Sequence, residues 1–310
     1  SPSNTDELLG EVSFANDNTI NQAVVSAAKF FLHWKNVSIE EKVKIIQKYA
    51  DLLEENQERL LYICVKEAGK TIKDAINDIR EAIDFCHYYS NQALKIFSKP
   101  VELKGLTGEE NKLFYEGKGV YFAISPWNFP IAIPSWKAFP ALVAGNTMVI
   151  KPAEDTPLSV LRLAMVFEEA GLPAGVFNVV TGYGPTAGQP LVDHPDVKMI
   201  SFTGSTITGH QVATRCAEQM KPYSLEMGGK NAIVVMEDAD IDLAVDGVVW
   251  GAFGTTGQRC TACSRVFVHE SVKAEFTEKL VKRAGSLMIG DGLDAKVQMG
   301  PVINEKALNK

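Results

Sequence analysis

Apolar and polar positions in the first hundred residues follow the spacing of amphipathic helices. Between residues 43 and 53 the apolar side chains recur every three or four positions, which predicts a helix with one buried face. Ser38, followed by Glu41, forms a capping box that predicts the start of this helix, and Gly69 is its predicted end. A second helix is predicted from about residue 71 to 96.

The pattern changes after this helical region. Residues 99–117 carry few apolar side chains and predict an extended hairpin or flap. From residue 119 onward, short apolar segments alternate with amphipathic ones, which favours an α/β fold with a mainly parallel sheet and helices on both faces. Such sheets bind ligands at the carboxyl ends of their strands. The predicted strands are 119–124, 147–151, 176–180, 198–202, 231–235 and 265–268, and the predicted helices are 157–170, 206–219, 239–253 and 271–286.

Composition narrows the class of protein further. The chain has 310 residues, of which 46% are hydrophobic, and a net charge of −7, so extensive disorder is excluded and about two domains are expected. The acidic balance argues against a nucleic-acid partner, and no apolar run reaches the roughly 18 residues that a membrane span needs. No signal peptide is visible, and five cysteines are too few for a disulfide framework. We therefore expect a reduced, cytoplasmic protein.

Two glycine-rich segments, 181–188 and 202–206, each follow a predicted strand. Glycine permits close approach of the backbone to a ligand, and a following helix N-terminus favours phosphate groups. Each segment alone is equally typical of an ordinary strand-to-helix turn, but two in succession favour a dinucleotide site. Lys151 and Glu154, at the end of another strand, are placed to contact a ribose. In isolation a surface turn explains these two residues at least as well.

Three further residues carry groups suited to catalysis. Asn128 lies in Ser-Pro-Trp-Asn-Phe-Pro, where flanking prolines stiffen the chain and can orient the amide toward an oxyanion. Glu226 lies near two glycines and has room to act as a base toward water, and Cys260 is placed between a helix and a strand as a candidate nucleophile. The ordinary alternatives are a structural turn, a solvated charge and a packing cysteine. The histidines and the single Cys-x-x-Cys pair match no metal motif, so no metal is expected.

The order of these motifs resembles the aldehyde dehydrogenase superfamily. Six segments occur in the family's order over essentially the whole chain: Ser-Pro-Trp-Asn, Lys-Pro-Ala-Glu, Gly-Pro-Thr-Ala-Gly, Phe-Thr-Gly-Ser-Thr, Leu-Glu-Met-Gly-Gly-Lys-Asn and Gly-Gln-Arg-Cys. The resemblance implies a Rossmann-like parallel-sheet cofactor domain, an α/β catalytic domain and a β-hairpin oligomerisation flap. The implied boundaries are 1–98 and 118–227 for the NAD-binding domain, 99–117 for the flap and 228–310 for the N-terminal part of the catalytic domain.

The resemblance also implies a catalytic role for each candidate residue. Cys260 corresponds to the nucleophile that adds to the aldehyde carbon, and the Asn128 amide with the Cys260 backbone N–H corresponds to the oxyanion hole. The thiohemiacetal would pass hydride to the cofactor and leave a thioester. Glu226 corresponds to the base that activates the hydrolytic water. Cys263 matches no catalytic position in the pattern.

The implied cofactor is NAD, with NADP as the alternative. Lys151 and Glu154 correspond to adenosine-ribose contacts, and Trp127 to a residue at the nicotinamide end. The glycine-rich turns correspond to the pyrophosphate and adenine contacts. The implied cofactor-binding residues are Ile124, Ser125, Pro126, Trp127, Lys151, Ala153, Glu154, Gly184, Gly188, Phe202, Thr203, Gly204, Ser205, Met227 and Gly228.

Family members continue well beyond residue 310, with a Glu-x-Phe-Gly-Pro segment, the rest of the catalytic domain and a terminal oligomerisation strand. The resemblance therefore implies a chain that is incomplete at its C-terminal end and lacks part of the active-site wall. For the complete protein we expect a homo-oligomer that binds a small aldehyde, with no nucleic-acid or membrane partner.

Three segments, 67–71, 78–89 and 108–113, resemble the L-glutamate γ-semialdehyde (1-pyrroline-5-carboxylate) dehydrogenases of proline breakdown. Thr261 departs from the Ser that often follows the nucleophile in those enzymes, and it also fits dehydrogenases of oxo-acid semialdehydes. Other semialdehydes and aliphatic aldehydes therefore stay open as substrates. Two other classes stay open as well: a CoA-acylating dehydrogenase, which has less need of Glu226, and a non-catalytic binding protein or inactive fragment.

Overall fold

The computed structural model describes residues 1–309 and divides them into two compact units. The larger unit consists of Glu11–Leu60 and Asp78–Glu226, and the smaller unit consists of Ser1–Gly10, Leu61–Asn77 and the chain from Met227 onward. The helices are α1 (Asp17–Trp34), α2 (Ile39–Glu55), α3 (Gln57–Ala68), α4 (Ile72–Phe97), α5 (Ala132–Val143), α6 (Pro157–Ala170), α7 (Gln189–Asp193), α8 (Thr206–Glu218), α9 (Ile241–Phe253), α10 (Glu270–Gly285) and α11 (Glu305–Leu308). The strands are β1 (Val101–Leu103), β2 (Asn111–Leu113), β3 (Val120–Ile124), β4 (Thr147–Lys151), β5 (Phe177–Val179), β6 (Val197–Thr203), β7 (Tyr223–Glu226), β8 (Asn231–Val235) and β9 (Cys263–Val268).

The larger unit is built on a five-stranded sheet in the order β5-β4-β3-β6-β7, in which every neighbouring pair is parallel. The α/β architecture with a parallel sheet is therefore confirmed. Strands β3 and β4 are almost wholly buried, as expected for a sheet that is covered by helices. Residues 99–117 contain the antiparallel pair β1 and β2, so the predicted extended hairpin is present.

Aromatic packing holds helices of the larger unit together beside this sheet. Tyr49 on α2 stacks on Phe167 of α6 with ring centroids 4.0 Å apart, and Phe139 of α5 meets Tyr49 edge-on at 5.4 Å. All three rings are buried. The Trp34 indole at the end of α1 donates to the Leu142 carbonyl at 3.0 Å, so this large buried side chain also satisfies its polar atom.

The smaller unit has its own parallel pair, β8 and β9, in which Val235 is opposite Val268. Helices α9 and α10 pack together on a core that centres on Val235, Val248 and Phe276. Asp240 caps α9 by accepting the Leu243 N–H at 3.0 Å. The unit therefore has a hydrophobic core of its own.

Most elements lie within two residues of the predicted positions, and helix α6 matches its prediction at both ends. Ser38 accepts the Glu41 N–H at 3.2 Å and starts α2 as predicted. The prediction of one helix as far as Gly69 is wrong, because α2 ends at Glu55. Asn56 breaks it there: its side-chain amide donates to the Leu52 carbonyl at 2.8 Å and competes with the helical hydrogen bonds.

Five of the helices and strands described within residues 1–309 had no individual prediction, and two of them, α7 and α11, are short helices of five and four residues. Helix α1 lies where only a general helical tendency was expected. Helix α5 contains two prolines, Pro134 and Pro140, which hid it. Strand β7 is an exposed edge strand without a run of apolar residues, so hydrophobic periodicity does not mark it.

Buried Asn146 connects the starts of β3 and β4, and we predict that the sheet depends on it. Its Oδ1 accepts the backbone N–H groups of Lys118 and Gly119 at 2.6 and 3.2 Å, and its Nδ2 donates to the Ala141 carbonyl at 3.1 Å. Asn146→Ala leaves these groups unpaired and should lower the free energy of unfolding by about 2–4 kcal/mol. Chemical denaturation measures the loss.

Asn36→Ala is the matched control, because exposed Asn36 makes one side-chain bond, to the Leu32 carbonyl at 2.8 Å. It should change the free energy of unfolding by less than about 1 kcal/mol. Equal losses in both variants would contradict the role given to Asn146.

Candidate active site

The carboxyl ends of four strands lie at one edge of the five-stranded sheet. Parallel register pairs Ile124 at the end of β3 with Lys151 at the end of β4 and with Phe202 near the end of β6. In the same way Thr203 is opposite Glu226 at the end of β7. Segments predicted separately as an oxyanion turn, a ribose contact, a phosphate turn and a base therefore begin from neighbouring positions.

The Lys151 ammonium is buried at this edge. Its Nζ donates to the carbonyls of Pro152 and Gly182 at 2.6 and 2.9 Å and lies 3.5 Å from Oε2 of Glu154. Burial lowers the pKa of Lys151, and the Glu154 carboxylate opposes that shift. The Glu154 side chain is 42% exposed, so it presents a negative charge to any ligand at this position.

The first glycine-rich turn reaches the same lysine. A single π-helical turn, Gly184–Gly188, leads into α7. A β-carbon at Gly188 would lie 3.6 Å from the Lys151 Cδ, so the lysine stem passes close to this turn. Gly184 at the other end of the turn is exposed, with nothing within 4 Å of the position a β-carbon would take.

The second glycine-rich turn joins β6 to α8. Ser205 caps α8 by accepting the Thr208 N–H at 3.2 Å, and the Gly204 N–H donates to the Glu226 carbonyl at 3.1 Å. The turn therefore presents the N-terminus of a 13-residue helix at the carboxyl edge of the sheet, an arrangement that favours anions.

Two hydroxyl groups at this edge are buried without a hydrogen-bond partner within residues 1–309: Ser125 Oγ and Thr203 Oγ1. Ser125 follows β3, and its N–H donates to the Lys151 carbonyl at 3.2 Å. Thr203 ends the neighbouring strand β6. Buried hydroxyls without partners are rare in proteins, and a ligand that supplies partners is one explanation.

Asn128 lies in the loop between β3 and α5, together with half-buried Pro126 and Trp127. The N-cap residue of α5 makes no side-chain cap, and instead the buried Asp78 Oδ1 accepts the Ala132 N–H at 2.7 Å. A carboxylate from α4 therefore fixes the helix start directly after the loop that carries Asn128.

Lys137 on α5 is a buried residue that the sequence analysis missed. Its Nζ donates to Ser201 Oγ at 2.8 Å, two residues before the end of β6. Burial lowers the pKa of Lys137 to about 7, and the negative charge of Glu226 opposes this shift. The signal in the sequence was a single lysine within the apolar run of α5.

Cys260 belongs to the smaller unit, as do Met227 and Gly228. It lies on a turn between Gly257 and the start of β9, which the Ala262 N–H closes by donating to the Arg259 carbonyl at 3.1 Å. Its thiol is exposed, and Cys263 is half-buried. The predicted location between a helix and a strand is confirmed.

The chain just before this turn is strained. Thr255 and Thr256 have φ angles of +52° and +57°, in the left-handed region that β-branched residues seldom adopt. The Thr256 hydroxyl donates to the Gly300 carbonyl at 3.1 Å, and Arg259 donates to the Trp250 carbonyl at 2.6 Å. Such strain persists only where surrounding contacts enforce it, and it is frequent near active sites.

The structure thus brings one large group of the predicted residues to one edge of the sheet or to its adjoining turns. That group lies wholly in the larger unit. Its members are Ile124, Ser125, Pro126, Trp127, Asn128, Lys151, Ala153, Glu154, Gly184, Gly188, Phe202, Thr203, Gly204, Ser205 and Glu226.

Comparison with known proteins identifies the family to which a chain with these motif residues belongs. The model of the aldehyde dehydrogenase family matches residues 1–310. The chain belongs to the aldehyde dehydrogenase family. The family resemblance predicted from the ordered motifs is therefore confirmed.

Similar proteins include two curated relatives and a solved structure. The chain is 42% identical to 1-pyrroline-5-carboxylate dehydrogenase 1 of Halalkalibacterium halodurans over 100% of the chain and 61% of that protein. It is 38% identical to alpha-ketoglutaric semialdehyde dehydrogenase of Bacillus subtilis over 99% of the chain and 63% of that protein. The crystal structure of PnpE in complex with nicotinamide adenine dinucleotide superposes with a TM-score of 0.94 at 38% identity, covering 98% of this chain and 62% of that one. The chain thus spans just over three fifths of the length of these proteins.

Residues 1–309, the part of the chain that the structure describes, contain neither a metal-binding cluster nor a membrane-spanning helix. No group of three or more His, Cys, Asp or Glu side chains in this range is arranged to hold a metal ion. No helix in the same range is long and apolar enough to cross a membrane.

Stability should depend on the titration of Lys137. Its pKa is lower in the folded state, so between about pH 7 and 10.5 the unfolded chain binds more protons, and the contribution to stability rises with pH. From pH 7 to 9 the wild type should gain about 2 kcal/mol relative to Lys137→Met. Denaturant titrations at both pH values measure this difference.

The exposed Lys29→Met is the control and should run parallel to the wild type at both pH values. If the free energies of unfolding of the wild type and Lys137→Met differed by the same amount at both pH values, the lowered pKa of Lys137 would be contradicted.

Proposed function

We propose that the complete protein oxidises an aldehyde to a carboxylic acid with NAD, through a covalent thioester on Cys260. The observation that carries this proposal is the alignment of family motif residues at one edge of the parallel sheet, above all the Ile124, Lys151 and Phe202 register. Family membership supports the reaction class. The division into an NAD-binding domain, a flap and a catalytic domain remains part of this proposal.

The residues at the sheet edge fit a dinucleotide. The helix α8 N-terminus suits a pyrophosphate, the buried hydroxyls of Ser125 and Thr203 lack partners within residues 1–309, and the Lys151 ammonium with Glu154 suits ribose hydroxyls. When bound, the nicotinamide supplies the hydride acceptor. The exposed Glu154 carboxylate would repel a 2′-phosphate, which favours NAD over NADP.

The proposed chemistry of the chain's own residues has two stages. The Cys260 thiolate adds to the aldehyde carbon, and the Asn128 amide with the Cys260 N–H stabilises the oxyanion. After oxidation to the thioester, Glu226 takes a proton from water, which attacks the acyl carbon and releases the carboxylic acid and the thiol. Exposure of Glu226 at the end of β7 supports access to water.

We propose L-glutamate γ-semialdehyde as the substrate, which would yield glutamate. The support is the set of several relatives named 1-pyrroline-5-carboxylate dehydrogenase at 40–42% identity. The relative named for α-ketoglutaric semialdehyde, at 38% identity, makes an oxo-acid semialdehyde the alternative. Small differences of identity decide little between substrates, because a few side chains of the pocket set specificity.

The test is NADH formation by the complete protein with glutamate γ-semialdehyde, α-ketoglutaric semialdehyde, succinate semialdehyde and a simple aliphatic aldehyde. The proposal predicts the highest kcat/KM with the first. Preference for another aldehyde would retain the reaction and reject the substrate. Acyl-CoA rather than free acid would indicate the CoA-acylating class, and no turnover with any aldehyde would favour a binding protein.

Glu226→Gln should separate the two stages. The variant keeps the shape of the side chain but removes the base, so a first burst of NADH should persist while steady-state kcat falls about 10²–10⁴-fold. Stopped-flow absorbance of NADH measures both phases. Loss of the burst together with the steady state would contradict the hydrolytic role of Glu226. Glu237→Gln serves as the control, because Glu237 lies on an exposed turn after β8 that carries none of the predicted site residues.

Glu154→Ser should relax the cofactor preference. Removing the carboxylate removes its repulsion of a 2′-phosphate, so the ratio of kcat/KM for NADP to that for NAD should rise about tenfold or more. Glu168→Gln, which makes a similar charge change on the far end of α6, should leave the ratio unchanged. An unchanged ratio in Glu154→Ser would contradict the ribose contact.

A cytoplasmic homo-oligomer is also part of the proposal. None of the five cysteines within residues 1–309 forms a disulfide bond, in line with a reducing compartment. The β1–β2 hairpin exposes Val101, Leu103 and Leu113, which supports its use as an association surface.

A further inference from the structure

The two peptide groups on either side of Cys260 are each held by one hydrogen bond. The Ala262 N–H donates to the Arg259 carbonyl at 3.1 Å. The Asn231 Nδ2 donates to the Cys260 carbonyl at 2.9 Å. A trans peptide group is planar, so fixing its oxygen also fixes the direction of its N–H on the opposite side.

These two bonds together orient the nucleophile. The first sets the peptide plane before Cys260 and directs the Cys260 N–H, the proposed oxyanion donor, away from the turn. The second sets the plane after Cys260. Because φ and ψ are the only soft backbone angles of a residue, holding both planes also sets the direction of the Cα–Cβ bond that carries the thiol.

Asn231 is well placed to supply the second bond. It begins β8 and is opposite Cys263 in the parallel register, so the strand pairing anchors its backbone. Gly229 gives the contact room: a β-carbon there would lie 3.2 Å from the Cys260 oxygen and 3.3 Å from the Asn231 Nδ2. Arg265 on β9 donates to the Lys230 carbonyl and ties the same segment from the other side.

The ordinary explanation of Asn231 is an exposed polar residue at a strand start. Asn is depleted in strands, however, and this amide joins two residues 29 positions apart in the sequence. We propose that Asn231 is a positioning residue for Cys260: its carboxamide holds the Cys260 carbonyl and thereby fixes the backbone from which the thiol projects. The inference rests on the proposed function, in which Cys260 is the nucleophile.

Three substitutions in the complete protein separate this role from a general structural one. Asn231→Ala removes the donor, Asn231→Asp replaces it with an oxygen that repels the carbonyl, and Asn231→Gln keeps a carboxamide. We expect kcat to fall about two- to tenfold in the Ala variant, and further in the Asp variant, with partial recovery in Gln. KM for NAD should stay unchanged in all three.

Alkylation by iodoacetamide provides a readout that does not require turnover. Peptide mass spectrometry compares the rates at Cys260 and Cys263 within one sample. The rate at Cys260 divided by the rate at Cys263 should be highest in the wild type. It should decrease through Asn231→Gln and Asn231→Ala to Asn231→Asp. Ser286→Ala is the matched control, because the exposed Ser286 hydroxyl donates to the Arg283 carbonyl at 2.8 Å away from the turn. It should leave kcat and the alkylation ratio at wild-type values.

Wild-type kcat and alkylation ratio in Asn231→Asp would overturn the inference. So would equal losses in all variants accompanied by a higher KM for NAD, because these indicate a general structural defect. If the wild type forms no NADH with any aldehyde, the proposed function fails, and the alkylation series alone decides. The predicted order then supports the positioning role, and equal ratios overturn it.

Discussion

Parallel strand pairing around β3 is the constraint on which the larger unit depends. Because β4 and β6 both pair with β3 in the same direction, Ile124 is level with Lys151 on one side and with Phe202 on the other. Strand β7 extends the same alignment to Glu226. Four chain segments that are far apart in the sequence must therefore emerge side by side, and the cofactor contacts proposed at their ends follow from that geometry.

Two buried ammonium groups show how this sheet edge is kept polar. Lys151 donates to the carbonyls of Pro152 and Gly182 and lies near Glu154. Lys137 donates to the Ser201 hydroxyl. Burying such groups costs free energy that the packing of the sheet must offset. The lowered pKa of Lys137, about 7, means that this group changes charge near neutral pH within the field of Glu226. The same apolar packing that stabilises the unit thus sets the charge of Lys137 at this edge of the sheet.

The sequence predicted the elements that hydrophobic periodicity and capping mark, such as α6 and the start of α2, and the motif residues at the strand ends. It did not predict α5, because prolines obscure its pattern, or β7, because an exposed edge strand has little apolar alternation. Lys137 and Asn231 were missed for a different reason: their significance lies in contacts with Ser201 and Cys260, residues 64 and 29 positions away. Such contacts arise from tertiary structure, which local sequence patterns do not encode.

In the proposed function, Cys260 carries the acyl group during aldehyde oxidation. The most direct test is rapid acid quench of the complete protein with aldehyde and NAD, followed by peptide mass spectrometry. The proposed mechanism predicts an acyl mass on the peptide that contains Cys260 and Cys263. Fragmentation should locate it at Cys260, and it should be present only when NAD is supplied. Formation of the carboxylic acid with Cys260 unmodified at every quench time, or with the acyl group on Cys263, would contradict it.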